Sequence, residues 1–86
     1  MSIQHHYLKT LNPYFRDIEC GKKTFEVRFN DRNYQVGDTL YLKEFYPPND
    51  FTGREIALEV TYVLNDEKFC KEGYVILGIK HICRNY

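Results

Sequence analysis

One alternating run constrains this chain more than anything else in it. From Arg54 to Leu64, Ile56, Leu58, Val60, Tyr62 and Leu64 fall on one side, and Glu55, Glu59 and Thr61 on the other. That is the period-two pattern of a strand with one face on a core and one on water. Tyr74 to Ile82 is apolar on both faces, as a central strand is. Between Thr39 and Tyr46, Leu40 and Leu42 oppose Tyr41, Lys43 and Phe45. Pro47-Pro48-Asn49-Asp50 breaks that strand, and a loop is expected to run to Gly53. Further strands are expected at Ile3–Lys9 and Thr24–Phe29. In the first, Ile3, His5, Tyr7 and Lys9 share one face and Gln4, His6 and Leu8 the other. His5 and His6 therefore point opposite ways and are expected as surface or rim residues. Asn30-Asp31-Arg32-Asn33 and Val36-Gly37-Asp38 read as turns, and Asn65–Gly73 as a charged loop or a single helical turn.

One helix is expected among these strands. Asn12 can cap it, and Pro13 suits a first turn in which the missing N–H costs nothing. Tyr14, Phe15 and Ile18 recur at helical spacing up to Cys20, and Gly21 stops the run. The expected fold class is α+β and mostly β: a small mixed barrel of five or six strands, with one short helix packed on it.

Eighty-six residues make a single domain. A chain of this size buries only roughly 60–65% of its unfolded surface, so its core has to be aromatic-rich, and eight Tyr and six Phe supply that. Acidic and basic residues balance at zero net charge. This counts against a binder of nucleic acid that relies on overall charge, while leaving room for a local basic pocket. The longest apolar run, Tyr74–Ile79, is too short to span a membrane, and the polar N-terminus lacks the apolar core of a signal peptide. A soluble cytoplasmic protein is expected. Cys20, Cys70 and Cys83 form no C-x-x-C pair and are expected to be reduced, mostly buried small hydrophobes. With His5, His6 and His81 they give no usual zinc spacing, so no metal or other cofactor is expected.

The stretch Gly21-Lys22-Lys23-Thr24-Phe25-Glu26-Val27-Arg28 concentrates the chemistry. As a strand it would send Phe25, Val27 and Phe29 to the core and present Thr24, Glu26 and Arg28 on the other face. Lys22, Lys23, Arg28 and Arg32 surround only Glu26 and Asp31, a local positive surplus. From the spacing alone, this is either a pocket wall or a row of exposed ion pairs, which are individually weak.

Written G-x-K-x-x-E-x-R, with Gly21, Lys23, Glu26 and Arg28 in the fixed places, the stretch resembles the signature of the ASCH family. That family is named for the homology domain of activating signal cointegrator and belongs to the PUA-like superfamily of small β-barrels. The wider run is similar to a small bacterial and phage branch of unknown function. It extends from Leu8-Lys9-Thr10 through Phe29–Arg32, Val36–Leu40 and Thr52–Glu55 to Tyr74–Ile79. The resemblance implies a PUA-like barrel whose motif borders a cleft between barrel and helix, and RNA or a nucleotide-like ligand as partner. Lys23, Glu26, Arg28, Lys22, Arg32, Lys9 and Tyr7 are the expected binding residues. Lys and Arg can hold phosphate, and Glu can accept hydrogen bonds from a base edge. A stacking ring is also needed, with Tyr7, Tyr14, Phe45 and Tyr46 as candidates.

Two rival readings stand beside this one. One ASCH branch is similar to amidohydrolases that remove an acyl group from a modified cytidine. They carry the lysine, here Lys23, but a threonine nucleophile where this chain has Glu26. A carboxylate does not replace a lysine-activated hydroxyl. Thr24 lies one pleat step away, and the partner glutamate is open among Glu55, Glu59 and Glu72. Cys20 is a further nucleophile candidate, without an adjacent histidine. No catalytic residue is therefore expected. The third reading is a protein-interaction module with a purely structural motif.

Overall fold

One long strand is the spine of the sheet. A computed structural model of the chain describes residues 3–82. Its elements are β1 (His5–Leu11), α1 (Tyr14–Glu19), β2 (Phe25–Phe29), β3 (Thr39–Tyr46), β4 (Asp50–Leu64) and β5 (Tyr74–His81). The strands form one sheet in the order β1-β3-β4-β5-β2. β1 runs parallel to β3, and every other neighbouring pair is antiparallel. The sheet curls into a half-barrel, so the fold is mostly β with one short helix. Among the described residues, no helix is long and apolar enough to cross a membrane.

The concave side holds the core: Leu8, Leu40, Leu42, Ile56, Leu58, Val60, Val75, Leu77 and Ile79, all buried. Phe15 and Ile18 of α1, with Tyr34, complete it. A helix of six residues is not stable by itself. Burying these two side chains contributes about 1.5–3 kcal/mol each, which holds α1 in place. Asn12 assists from one residue ahead of the N-cap Pro13, its Oδ1 accepting from Arg16 N at 3.2 Å. The helical turn is thus shorter than Asn12–Cys20, while the expected bounds of β3 match those observed.

Three expectations about the strands need correction. The loop through Gly53 is part of β4, which starts at Asp50. Lys43 pairs with Glu55 and Phe45 with Phe51, so Thr52, Gly53 and Arg54 bulge opposite Glu44. Gly53, at φ +91°, supplies the left-handed backbone that this bulge requires. Further along β4 a second irregularity lies between Val60 and Tyr62. It turns Tyr62 outward and lets Val63 pack against the core in its place.

The third correction concerns β2. Phe25, Val27 and Phe29 do not enter the core: they are 43%, 50% and 55% exposed, while Glu26 is buried. β2 is an edge strand whose inner face looks into the mouth of the half-barrel rather than its apolar centre. The polar row therefore faces inward. Cys20 is likewise exposed, Cys70 half-buried, and Cys83 lies outside the described residues.

Candidate functional site

The two edge strands of the curled sheet, β1 and β2, approach each other across an open seam, and the motif spans it. Gly21, at φ +84°, turns the chain out of α1 and sets up Lys23, whose N–H donates to Asp17 O at 3.0 Å. Glu26 then points inward from β2 with both oxygens engaged. Lys23 Nζ reaches Oε1 at 3.2 Å, and Arg28 Nε reaches Oε2 at 2.8 Å. Arg28 also crosses the seam. Its Nη2 donates to Lys9 O at 3.1 Å and to Thr10 Oγ1 at 3.0 Å on β1. Arg32 makes a parallel link, Nη1 donating to Tyr7 O at 3.3 Å. Strand-edge carbonyls that would otherwise need water are thus met by guanidinium donors.

Around this triad lies a cleft of about 500 Å³, lined by Lys9–Leu11, Tyr14, Lys23 and Phe25–Arg28. That volume suits a small ligand. Lys23 and Arg28 share one carboxylate, Glu26, so the local charge is positive in an otherwise neutral chain, while Lys9 offers its carbonyl to Arg28 and turns its ammonium toward the Phe45 ring. Lys23 Nζ donates to Phe25 O at 2.7 Å and lies 4.6 Å from the Phe25 ring centre and 5.7 Å from that of Tyr14. Both rings are partly exposed beside the cleft.

Four of the seven expected binding residues therefore line one cleft: Lys9, Lys23, Glu26 and Arg28. The other three do not. Lys22 is exposed outside it. Arg32 works along the seam, paired loosely with Asp31 at 3.9 Å. Tyr7 turns its ring to the convex face and stacks on Tyr41. Of the stacking candidates only Tyr14 lines the cleft. Phe25, assigned to the core by alternation, is the second ring there.

Next to the cleft is a buried carboxylate that the sequence reading passed over. Glu44 lies opposite Thr10 in the β1–β3 register. It accepts from Thr52 Oγ1 at 2.6 Å and Asn12 Nδ2 at 2.7 Å, and Arg54 stands 4.0 Å away with its other end on Glu19. The Thr52 and Asn12 hydrogen bonds hold its carboxyl below the usual range against the upward push of burial, helped by Arg54 and Arg16. Glu55 and Glu72 are exposed and Glu59 half-buried. The signal was available, because Leu40, Leu42 and Glu44 share a strand face.

A larger hollow, about 730 Å³, lies at the opposite end of the half-barrel beside Asp38. Its carboxylate is fully engaged. Oδ1 accepts from Gln4 N at 3.2 Å, and Oδ2 accepts from Gln35 N at 3.0 Å and His6 Nε2 at 2.9 Å. Burial raises the pKa of Asp38, but these hydrogen bonds outweigh it and hold the carboxyl below its ordinary value. Tyr34 meets the His6 ring edge-on at 4.8 Å, and burial pushes its phenol above the ordinary value. His6 is thus buried and structural, in contrast to the expected rim position. Among the described residues no Lys or Arg lines this hollow, so the seam cleft is the better candidate.

Residues 5–79 match the family described as a domain of unknown function, DUF3850. The chain belongs to the DUF3850 family. A protein of Escherichia phage P2, described as an uncharacterized 12.9 kDa protein in the GpA 3′ region, is 40% identical over 77 residues. The match covers 90% of this chain and 69% of the phage protein. The DUF3850 match runs from the first residue of β1 into β5 and so includes both walls of the cleft.

Proposed function

We propose that this DUF3850 domain binds RNA or a nucleotide-like ligand in the cleft between β1 and β2. The observation that carries the reading is the pairing of surplus cationic donors with exposed rings around one buried carboxylate. Glu26 holds Lys23 and Arg28 side by side, and each retains N–H donors for phosphate oxygens. Tyr14 and Phe25 offer faces on which an unpaired base can stack. The resemblance to the ASCH family points the same way, and we read DUF3850 as a PUA-like relative of it. A cytoplasmic setting fits the free thiols of Cys20 and Cys70.

Hydrolysis of a modified nucleoside is less well supported. Glu26 stands in the nucleophile position with both oxygens bound to cations, and Thr24 is exposed. A structural role for the motif has one specific observation in its favour, the Arg28 bridge to β1. The two readings separate on Lys23, which makes no contact across the seam. The test is a titration of nucleotides and short RNAs at two salt concentrations, with the parent and with Lys23→Ala. Binding by the parent that Lys23→Ala weakens by about 1–3 kcal/mol supports the cleft. The salt slope should also fall by roughly 0.7 per lost phosphate contact. Equal affinity in both proteins, or none in the parent, rejects it.

A further inference from the structure

We infer that the ligand is a single strand rather than a free mononucleotide, and that it passes from the cleft over Lys9 onto the convex face of β1 and β3. This rests on the cleft reading above. The convex face of β1 carries His5, Tyr7 and Lys9, all exposed, and parallel pairing sets Tyr7 beside Tyr41 and Lys9 beside Lys43. The rings form one column. Tyr7 lies 4.7 Å from Tyr41 with 14° between planes, and His5 lies 5.8 Å from Tyr41 at 17°. His5 Nδ1 and Tyr41 Oη are 3.2 Å apart, which fixes the rings in that orientation.

Cations accompany the rings. Lys43 Nζ is 5.7 Å from the Tyr7 ring centre, and Lys9 Nζ is 5.0 Å from Phe45 and 5.9 Å from Phe51. Tyr7 and Phe51 nevertheless remain 56% and 51% exposed. Aromatic faces interleaved with lysines provide what an unpaired strand needs: stacking surface for bases and positive charge for the backbone between them. A duplex keeps its bases stacked on one another and has no use for the rings. Lys9 also lines the cleft, so one residue joins the two surfaces. On the far side, Glu55 of β4 stands 3.9 Å from Lys43 Nζ and marks where the favourable charge ends.

The experiment measures fluorescence anisotropy with labelled uridine monophosphate and with oligouridylates of about two, four and eight nucleotides, against the parent, Tyr7→Ala, Lys43→Glu and Lys23→Ala. Lys43→Glu leaves the ring column intact and serves if Tyr7→Ala does not fold, as judged by circular dichroism. The parent's affinity is expected to rise with length. Tyr7→Ala and Lys43→Glu should bind the longer strands at least about fivefold more weakly, since one base stack is worth about 5- to 150-fold. Both should bind the mononucleotide as the parent does. Affinity that does not grow with length, or convex-face variants that bind the long strand like the parent, overturns the inference while leaving the cleft intact. If Lys23→Ala has no effect on any ligand, the cleft reading falls and the proposed path falls with it.

Discussion

The half-barrel carries a buried carboxylate at each end, and the two are treated differently. At one end Asp38 accepts from His6 and two backbone N–H groups, and among the described residues no Lys or Arg lines the hollow beside it. At the other end Glu26 binds two cations whose remaining donors look into an open cleft. The first arrangement ties β1 to the turn that launches β3. The second leaves charge in excess of what the fold consumes. Burial alone therefore does not separate a structural ionic group from a functional one; unspent donors facing a cavity do.

Breaking the Asp38 end should have the largest effect. Asp38→Ala removes the acceptor of three donors and strands a buried His6, at a cost of about 3–5 kcal/mol. In a domain of this size that lowers Tm by more than about 10 °C. Glu26→Ala should cost less, about 2–3 kcal/mol, because Lys23 and Arg28 can turn to water in the cleft. Urea unfolding of both variants tests the order. A Glu26 variant weaker than the Asp38 variant would make the motif the main structural staple and reverse the comparison.

Acid sharpens the same contrast. Asp38 and Glu44 have folded pKa values below their ordinary values near 4. Their contribution to stability is fully present above those ordinary values and is lost as pH falls through the lower, folded ones. Unfolding free energy should therefore fall on acidification below about pH 4, and Asp38→Asn should show a flatter acid limb. Parallel curves for the parent and Asp38→Asn would reject Asp38 as a source of acid sensitivity.

These two ends were not equally legible in the sequence. Alternation in Arg54–Leu64 and the two-sided apolarity of Tyr74–Ile79 gave the central strands, because a core imposes that period directly. The bulges at Gly53 and between Val60 and Tyr62 shifted individual side chains, as a single extra residue does. In β2 the pattern was visible but its sense was inverted. A row of Phe25, Val27 and Phe29 opposite Glu26 and Arg28 looks alike whichever side faces inward, and only the strand's place at the sheet edge decides. Asp38 and His6 are far apart in sequence, with no local mark of their meeting. The motif residues that surround Glu26 were legible because they are close together in the chain, whereas Thr10, Glu44 and the convex-face column depend on the β1–β3 register.

Arg28 sits between the structural and the functional case, and its expected effect is intermediate. Arg28→Lys keeps the charge but loses the fork that joins Glu26, Lys9 O and Thr10 Oγ1. About 1–2 kcal/mol of stability should go, in line with one or two hydrogen bonds to a charged group. Hydrogen exchange at β1 amides should speed up if the seam opens locally. Unchanged exchange in β1 would mean that the bridge does not hold the seam.

The smallest effect on stability is expected at Lys23, and it separates function from structure most cleanly. Its ammonium bonds to Phe25 O and Glu26 but reaches no residue of β1, and its side chain keeps a path to water at 18% exposure. Removing it leaves Glu26 paired with Arg28 at 2.8 Å, so no charge is orphaned. Lys23→Ala should therefore change unfolding free energy by only about 0–1 kcal/mol. Adding Glu26→Gln on top completes a double-mutant cycle, and the coupling should be well below that between Glu26 and Arg28. A loss above about 2 kcal/mol in Lys23→Ala would show that the lysine is consumed by the fold as fully as His6 is at the other end. In that case the cleft would hold no surplus charge, and the distinction between the two ends would disappear.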